Sequence, residues 1–295
     1  MTMRPWFIND LPNFSDTLST FMFADDANLT RVDDNLERLF HIANQELDKF
    51  YFWCINNRLS INTLKTFFVL FANKPPKLVP PLVIRSHSTY VPIKRVSNTK
   101  FLGIFYDERL CFKPHLDFIA NKLSRISAMI YRLKDLMPID VLRTLYQAHV
   151  YSILSYCTII WANTYSTHIE PVIKLLKRMV RNITHSDFLA HSEPLFKQLK
   201  LLNFDSIRKY ALAQYMYKNR HTVLPPLLPT HQYMTRNRDR IRLPERNTVL
   251  FEKSFLYQGP NLWNELVDDC PPEIIDSPAI HLFRRKLKTY LLSKQ

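Results

Sequence analysis

The run Phe21-Met22-Phe23-Ala24-Asp25-Asp26-Ala27-Asn28-Leu29 constrains this chain more than any other feature, because apolar residues lead straight into two adjacent carboxylates. Such a pattern reads as a strand, a tight acidic turn and a second strand. Asp-Asp occurs three times, at positions 25–26, 33–34 and 268–269, and an isolated pair of this kind is ordinarily solvated surface. Only the first pair follows a strand-like run. Two carboxylates at a hairpin turn suit Mg2+, a hard cation that takes oxygen ligands in near-octahedral geometry, usually one or two carboxylates plus water and substrate phosphate. Two-metal phosphoryl transfer holds its ions roughly 3.5–4 Å apart, so carboxylates must converge from more than one strand. This turn supplies one cluster; another strand must supply the rest.

From Asp34 to about Asn57 the apolar residues Leu36, Leu39, Phe40, Ala43, Leu47, Phe50, Trp53 and Cys54 recur at three and four, which predicts a helix with one buried face. Asn57-Arg58-Leu59-Ser60-Ile61-Asn62 follows, then Lys65-Thr66. The continuous apolar run Phe67-Phe68-Val69-Leu70-Phe71 predicts a buried strand. Farther on, Lys100-Phe101-Leu102-Gly103-Ile104 places one of only two glycines between apolar residues, where a strand glycine marks a bulge or a close backbone approach.

In these pieces the chain resembles the reverse transcriptases of non-LTR, LINE-type retrotransposons, especially the jockey-like group of arthropods. The matching motifs are Phe-Ala-Asp-Asp at 23–26, the Trp53 to Thr66 segment with its Asn-x-Leu-x-Ile-Asn-x-x-Lys-Thr ending, and Phe101-Leu102-Gly103-Ile104. Gly259-Pro260-Asn261-Leu262-Trp263-Asn264 and Phe283-Arg284-Arg285-Lys286-Leu287-Lys288 look like the tail of the same elements. The resemblance implies that Asp25 and Asp26 are catalytic and metal-binding residues of polymerase motif C, with Asp25 the direct Mg2+ ligand. It places Lys65 in motif D as the acid that protonates departing pyrophosphate. A general acid contributes about 10²–10⁴-fold, although spacing alone equally reads Lys65 as a surface residue at a turn. Gly103 falls in motif E, which grips the primer end; its plain reading is a strand bulge.

The family's remaining aspartate, in motif A, and its motif B lie upstream of motif C, and only 24 residues precede Asp25. Ile8-Asn9-Asp10-Leu11-Pro12 resembles the loop just after motif B, so Asp10 is not that ligand, and Asp16 sits in a polar turn. The expectation is a chain that begins in mid-palm, does not polymerise DNA alone, and takes a deoxynucleoside triphosphate only if the site is completed.

Lys and Arg number 40 against 26 Asp and Glu, a formal charge of +14 and a pI near 9.6, which favours a polyanionic partner. The clearest patch is Lys174, Lys177, Arg178 and Arg181 on one face of a helix, with Ile173, Leu176, Met179, Val180 and Ile183 roughly opposite. That face is either solvated surface or a stripe for RNA–DNA duplex. Arg236, Arg238, Arg240 and Arg242 alternate at period two, on one side of an extended segment or in a disordered linker. Arg284, Arg285, Lys286 and Lys288 fall on a terminal helix whose Phe283, Leu287, Tyr290 and Leu291 face a core.

The expected fold class is α+β. Residues 1–107 form a truncated polymerase palm, a short β-sheet with one long helix; residues 108–222 form an all-helical thumb; residues 223–295 form a proline-rich linker and a small, mostly helical C-terminal region. A palm without half its sheet exposes an edge strand and apolar surface. The apolar stretch from Val150 to Trp161 is too short to cross a membrane and, with Tyr151, Tyr156 and Trp161, suits a buried helix. Cys54, Cys111, Cys157 and Cys270 are too widely spaced for a disulfide framework or a zinc knuckle. Two glycines cannot build a dinucleotide fingerprint, the ten scattered histidines, His185 and His191 among them, suit packing or surface, and no secretory segment opens the chain, which implies cytoplasm or nucleus. The expected function is a fragment of an RNA-directed DNA polymerase acting on an RNA template and RNA–DNA duplex. The alternative is a non-catalytic nucleic-acid-binding module or a degenerate relic of such an element.

Overall fold

The computed structural model describes residues 10–24, 26–86, 89–219 and 240–295. They fall into two units: one holds the residues up to Thr99 with Asp107–Arg109, the other Lys100–Tyr106 with everything described from Leu110 onward.

The first unit opens with a 3-10 turn, Leu11–Phe14, and an antiparallel pair, β1 (Ser19–Phe23) and β2 (Asp26–Thr30). Helix α1 (Leu36–Asn56) follows, capped by Asn35, whose side chain accepts the Arg38 amide at 2.9 Å. As its spacing predicts, Phe40, Leu47 and Cys54 are buried. Against α1 lie β4 (Val83–Ser86) and β5 (Thr89–Pro92), an antiparallel pair, and the Asn44 amide fixes them by accepting the Val83 N–H at 2.8 Å and donating to the Pro81 carbonyl at 3.0 Å. The core is small: Leu47, Ile84 and Ile93, with Leu29, Phe50, Ile61, Phe68 and Leu82 around it.

Two expectations for this unit need correction. The single palm sheet is replaced by separate two-stranded sheets, and the predicted buried strand at 67–71 shrinks to β3 (Phe67–Phe68), paired in parallel with β6 (Lys94–Arg95). Phe67 and Phe71 are both exposed. An apolar run needs two covered faces to be a buried strand, and here only one is covered, where Phe68 packs against the small core. The expected apolar surface is present: Phe21, Phe23, Val32, Leu64 and Leu78 are all exposed. Strands β7 (Asn98–Phe101) and β8 (Ile104–Asp107) form a further two-stranded sheet whose tip belongs to the second unit.

The second unit is helical. Its helices are α2 (Lys113–Leu133), α3 (Ile139–Leu145), α4 (Ser152–Ser155), α5 (Thr158–Trp161), α6 (Ser166–Ile183), α7 (Ser192–Gln198) and α8 (Phe204–Asn219). After the undescribed 220–239 come α9 (Val249–Lys253), α10 (Phe255–Asp269), α11 (Pro272–Ile275) and α12 (Ile280–Lys294). Helices α2 and α6 pack together, and α8 packs on α10 and α12. One core runs from Ile104 through Leu123, Leu142, Trp161, Leu176 and Met216 to Phe283 and Leu291. The C-terminal helices therefore join the core of the helices before them, whereas the sequence reading set residues 223–295 apart; the proline-rich stretch at 223–229 lies outside the described residues.

Between α3 and α4 the chain makes a π-helical turn, Tyr146–Tyr151. Leu142, Tyr146, Val150 and Leu154 are all buried at intervals of four. A repeat of four drifts off one face of a 3.6-residue helix, and the wider π turn brings these side chains back to the core. The helix then breaks at Tyr156 and Cys157, whose φ is +49°. The stretch from Val150 to Trp161 is thus not one buried helix: Trp161 is fully buried while Tyr156 is exposed. No described helix is long and apolar enough to cross a membrane.

Candidate functional site

At the acidic turn, Phe23 pairs with Asp26 as the last rung of β1 and β2, which leaves a two-residue loop. Ala24 in that loop has φ +54°, the left-handed backbone that such loops favour. Asp25 lies outside the described residues. Asp26 is exposed at the start of β2, and Phe21 and Phe23 are 56% and 60% exposed on β1. Asp10 accepts the Trp53 indole N–H at 3.3 Å, a structural contact.

The other two acidic pairs have structural employment. Asp33 accepts the Arg38 Nε–H at 2.9 Å and the Asn35 amide at 3.0 Å, and Arg38 also pairs with Asp34. The Arg38 guanidinium and the Asn35 N–H hold the Asp33 carboxyl far below the usual carboxylate range. These residues fasten the start of α1. Asp268 binds Arg240 through both guanidinium Nε and Nη2. Arg240 is therefore tied to α10 instead of lying free in a basic row; Arg236 and Arg238 lie outside the described residues.

Lys65 is exposed in the turn before β3, its amide bonded to Asn62 O at 3.1 Å. No hydrogen bond or ion pair among the described residues joins it to Asp26. Gly103 is not a strand bulge. With Leu102 (φ +47°) and Gly103 (φ +83°) both left-handed, it completes the two-residue loop between β7 and β8.

Helix α6 places Lys174, Lys177 and Arg178 outward and buries Val172, Leu176, Met179, Val180 and Ile183. Lys174 pairs with Glu170 at 2.8 Å, but both side chains are exposed and such a pair is easily exchanged. Lys177 and Arg178 make no ion pair among the described residues. Arg181, the fourth member of the expected stripe, is half-buried: its Nε–H donates to Ala190 O at 2.8 Å and its guanidinium lies 5.9 Å from the Phe188 ring. It holds the turn after α6. On α12, Lys286 is likewise engaged, donating to Glu273 O at 2.8 Å, while Arg284 and Arg285 are exposed.

One cation–aromatic cluster escaped the sequence reading. Lys122 lies 4.4 Å from the Phe118 ring and Lys100 lies 5.7 and 5.6 Å from Phe105 and Phe118. No sequence periodicity joins a hairpin tip to a helix start, so only the tertiary fold reveals it. Beside it His115 is buried against Phe118 and Trp161, and burial, then the Lys122 charge, pulls its pKa down to about 4.

Over 207 residues, 68% of this chain, the sequence is 26% identical to a probable RNA-directed DNA polymerase from transposon X-element of Drosophila melanogaster. The chain spans 22% of that protein's length. No protein-family model matches the chain, and no solved structure matches it.

Proposed function

We propose that these residues are a portion of an RNA-directed DNA polymerase of a non-LTR, LINE-type, jockey-like retrotransposon. In this reading the first unit is the part of the palm that carries the acidic turn, and the helical unit is a thumb that grips RNA–DNA duplex through α6. The observation that carries it is the antiparallel β1–β2 pair, with Asp26 in its last rung beside Phe23, in a chain distantly similar to a transposon polymerase. The exposed Lys174, Lys177 and Arg178 support the duplex grip, because each neutralised phosphate releases counterions.

Magnesium is the ion the family implies. Among the described residues, however, no three His, Cys, Asp or Glu side chains gather to hold a metal ion, and Asp26 is a single exposed carboxylate. Those donors fall short of a two-ion set, and no reaction step through the ion follows from them. The proposal is that Asp25 and Asp26 act together with carboxylates of another strand, and that Lys65 supplies a proton to the leaving group there.

A second reading, a nucleic-acid-binding module without chemistry, is favoured by the self-contained core under α6, which includes no residue of the acidic hairpin. Joining an upstream palm and fingers to this chain discriminates. Restored primer extension on an RNA template, abolished by Asp25→Ala, supports the polymerase reading. Duplex binding without extension supports the binding module.

A further inference from the structure

Among the described residues, two clefts on the helical unit have linings that differ in charge. The larger, about 610 Å³, is lined by Glu170, Asp205 and Glu252 against Arg208 and Lys253. Its Arg208 is already held by Asp205 at 2.7 Å and by Asn163 at 3.1 Å. Glu170 and Glu252 are likewise paired, with Lys174 at 2.8 Å and Arg246 at 3.0 Å, so acids and bases balance in this lining and offer a polyanion no surplus of positive charge. The second, about 510 Å³, lies among the π turn, α5, α8 and α12, within the roughly 300–1,000 Å³ of small-molecule sites.

Tyr151, Tyr210, Tyr215, Gln214, Lys218 and Arg284 line this second cleft, and no carboxylate among the described residues does. Lys218 and Arg284 are exposed and make no ion pair among the described residues. The three tyrosines are half-buried, with Tyr215 braced edge-on against Phe255 at 4.5 Å. Burial raises the phenol pKa of Tyr151 and of Tyr210, and the nearness of Tyr210 adds to the shift at Tyr151. The chain is also irregular here: Tyr151 ends the π turn, a feature frequent at functional sites, and the left-handed Cys157 lines the cleft beside it.

Aromatic faces, flanking cations and no opposing acid are the means by which proteins hold unpaired bases and their phosphates. We propose that this cleft binds single-stranded nucleic acid, stacking a base on the tyrosine wall while Lys218 and Arg284 hold the adjoining phosphates. The inference rests on the polymerase reading only in taking nucleic acid as the partner, and it concerns single strands where that reading concerns duplex.

The test is fluorescence anisotropy of the full chain with a short labelled oligouridylate and, separately, with a blunt RNA–DNA duplex. Lys218→Glu with Arg284→Glu, both exposed, is expected to weaken single-strand binding about tenfold, on the scale of one stacked base with its phosphate, and to leave duplex binding little changed. In the unaltered chain, 4-thiouridine in the oligonucleotide is expected to cross-link at Tyr151, Tyr210 or Tyr215. Unchanged single-strand affinity in the double variant, cross-links confined to other peptides, or equal competition by polyglutamate overturns the proposal. Single-strand binding that depends on Lys218 and Arg284 without any duplex binding supports the cleft and overturns the thumb reading. Duplex binding that depends on α6, with single-strand binding indifferent to Lys218 and Arg284, overturns the cleft alone.

Discussion

The Tyr156 hydroxyl donates a 2.7 Å hydrogen bond to the Leu102 carbonyl, tying the break between α4 and α5 to the tip of the β7–β8 loop. The neighbouring Gly103 has φ +83°, and a Cβ there would meet Tyr156 Cε1 at 3.4 Å. Gly103→Ala is expected to cost roughly 1–2 kcal/mol, the penalty of a left-handed L-residue, measured as a lower urea midpoint with unchanged slope. Stability equal to the parent would contradict this placement.

Gly259 gives the C-terminal helices a sharper test. A Cβ at this position in α10 would lie 2.9 Å from both Met216 Sδ and Phe255 Cε2. Gly259→Ala is expected to destabilise the helical unit by about 1–3 kcal/mol through overpacking. Because α10 shares the core of α8, amide exchange should quicken in α8 as well as in α10. Quickening confined to α10 would mean the tail packs separately.

His115 predicts an acid-sensitive fold. Its pKa is about 4 in the folded chain and about 6.5 when unfolded, so between those values the unfolded chain binds more protons. Its contribution is complete above pH ~6.5 and is lost as pH falls toward ~4, by roughly 2–3 kcal/mol. His115→Phe, which keeps the ring stack, is expected to flatten the stability profile across that window. Chemical denaturation at stepped pH measures it, and parallel profiles for the two proteins would count against it.

Ala24 holds a left-handed conformation at the acidic turn. Ala24→Gly is expected to stabilise the β1–β2 hairpin by about 1 kcal/mol, seen as slower amide exchange in β1 and β2. Faster exchange would show that the turn is formed differently.

Long periodic segments were legible in the sequence: the buried faces of α1 and α6 follow from spacings of three and four, and the hairpin at residues 19–30 from its apolar runs and turn. Isolated short runs were not. The stretch from Phe67 to Phe71 reads as a buried strand because composition cannot show that no second layer covers it. The break at Cys157 and the π turn at Tyr146 escaped because both answer to core packing at intervals of four. At the candidate site, the α6 stripe was visible as a pattern, but the diversion of Arg181 to Ala190 and Phe188 was not, since those partners lie past the end of the helix. The cleft of Tyr151, Tyr210, Tyr215, Lys218 and Arg284 draws on helices far apart in sequence and left no local signal.

The most direct measurement is the salt dependence of RNA–DNA duplex binding by the chain and by its Lys174→Glu, Arg178→Glu variant. Each phosphate contact contributes about 0.9 to the slope of log affinity against log salt on duplex DNA. The account predicts weaker binding and a slope reduced by roughly 2 in the variant. An affinity and slope identical to the parent would contradict it, and would take α6 out of any nucleic-acid interface.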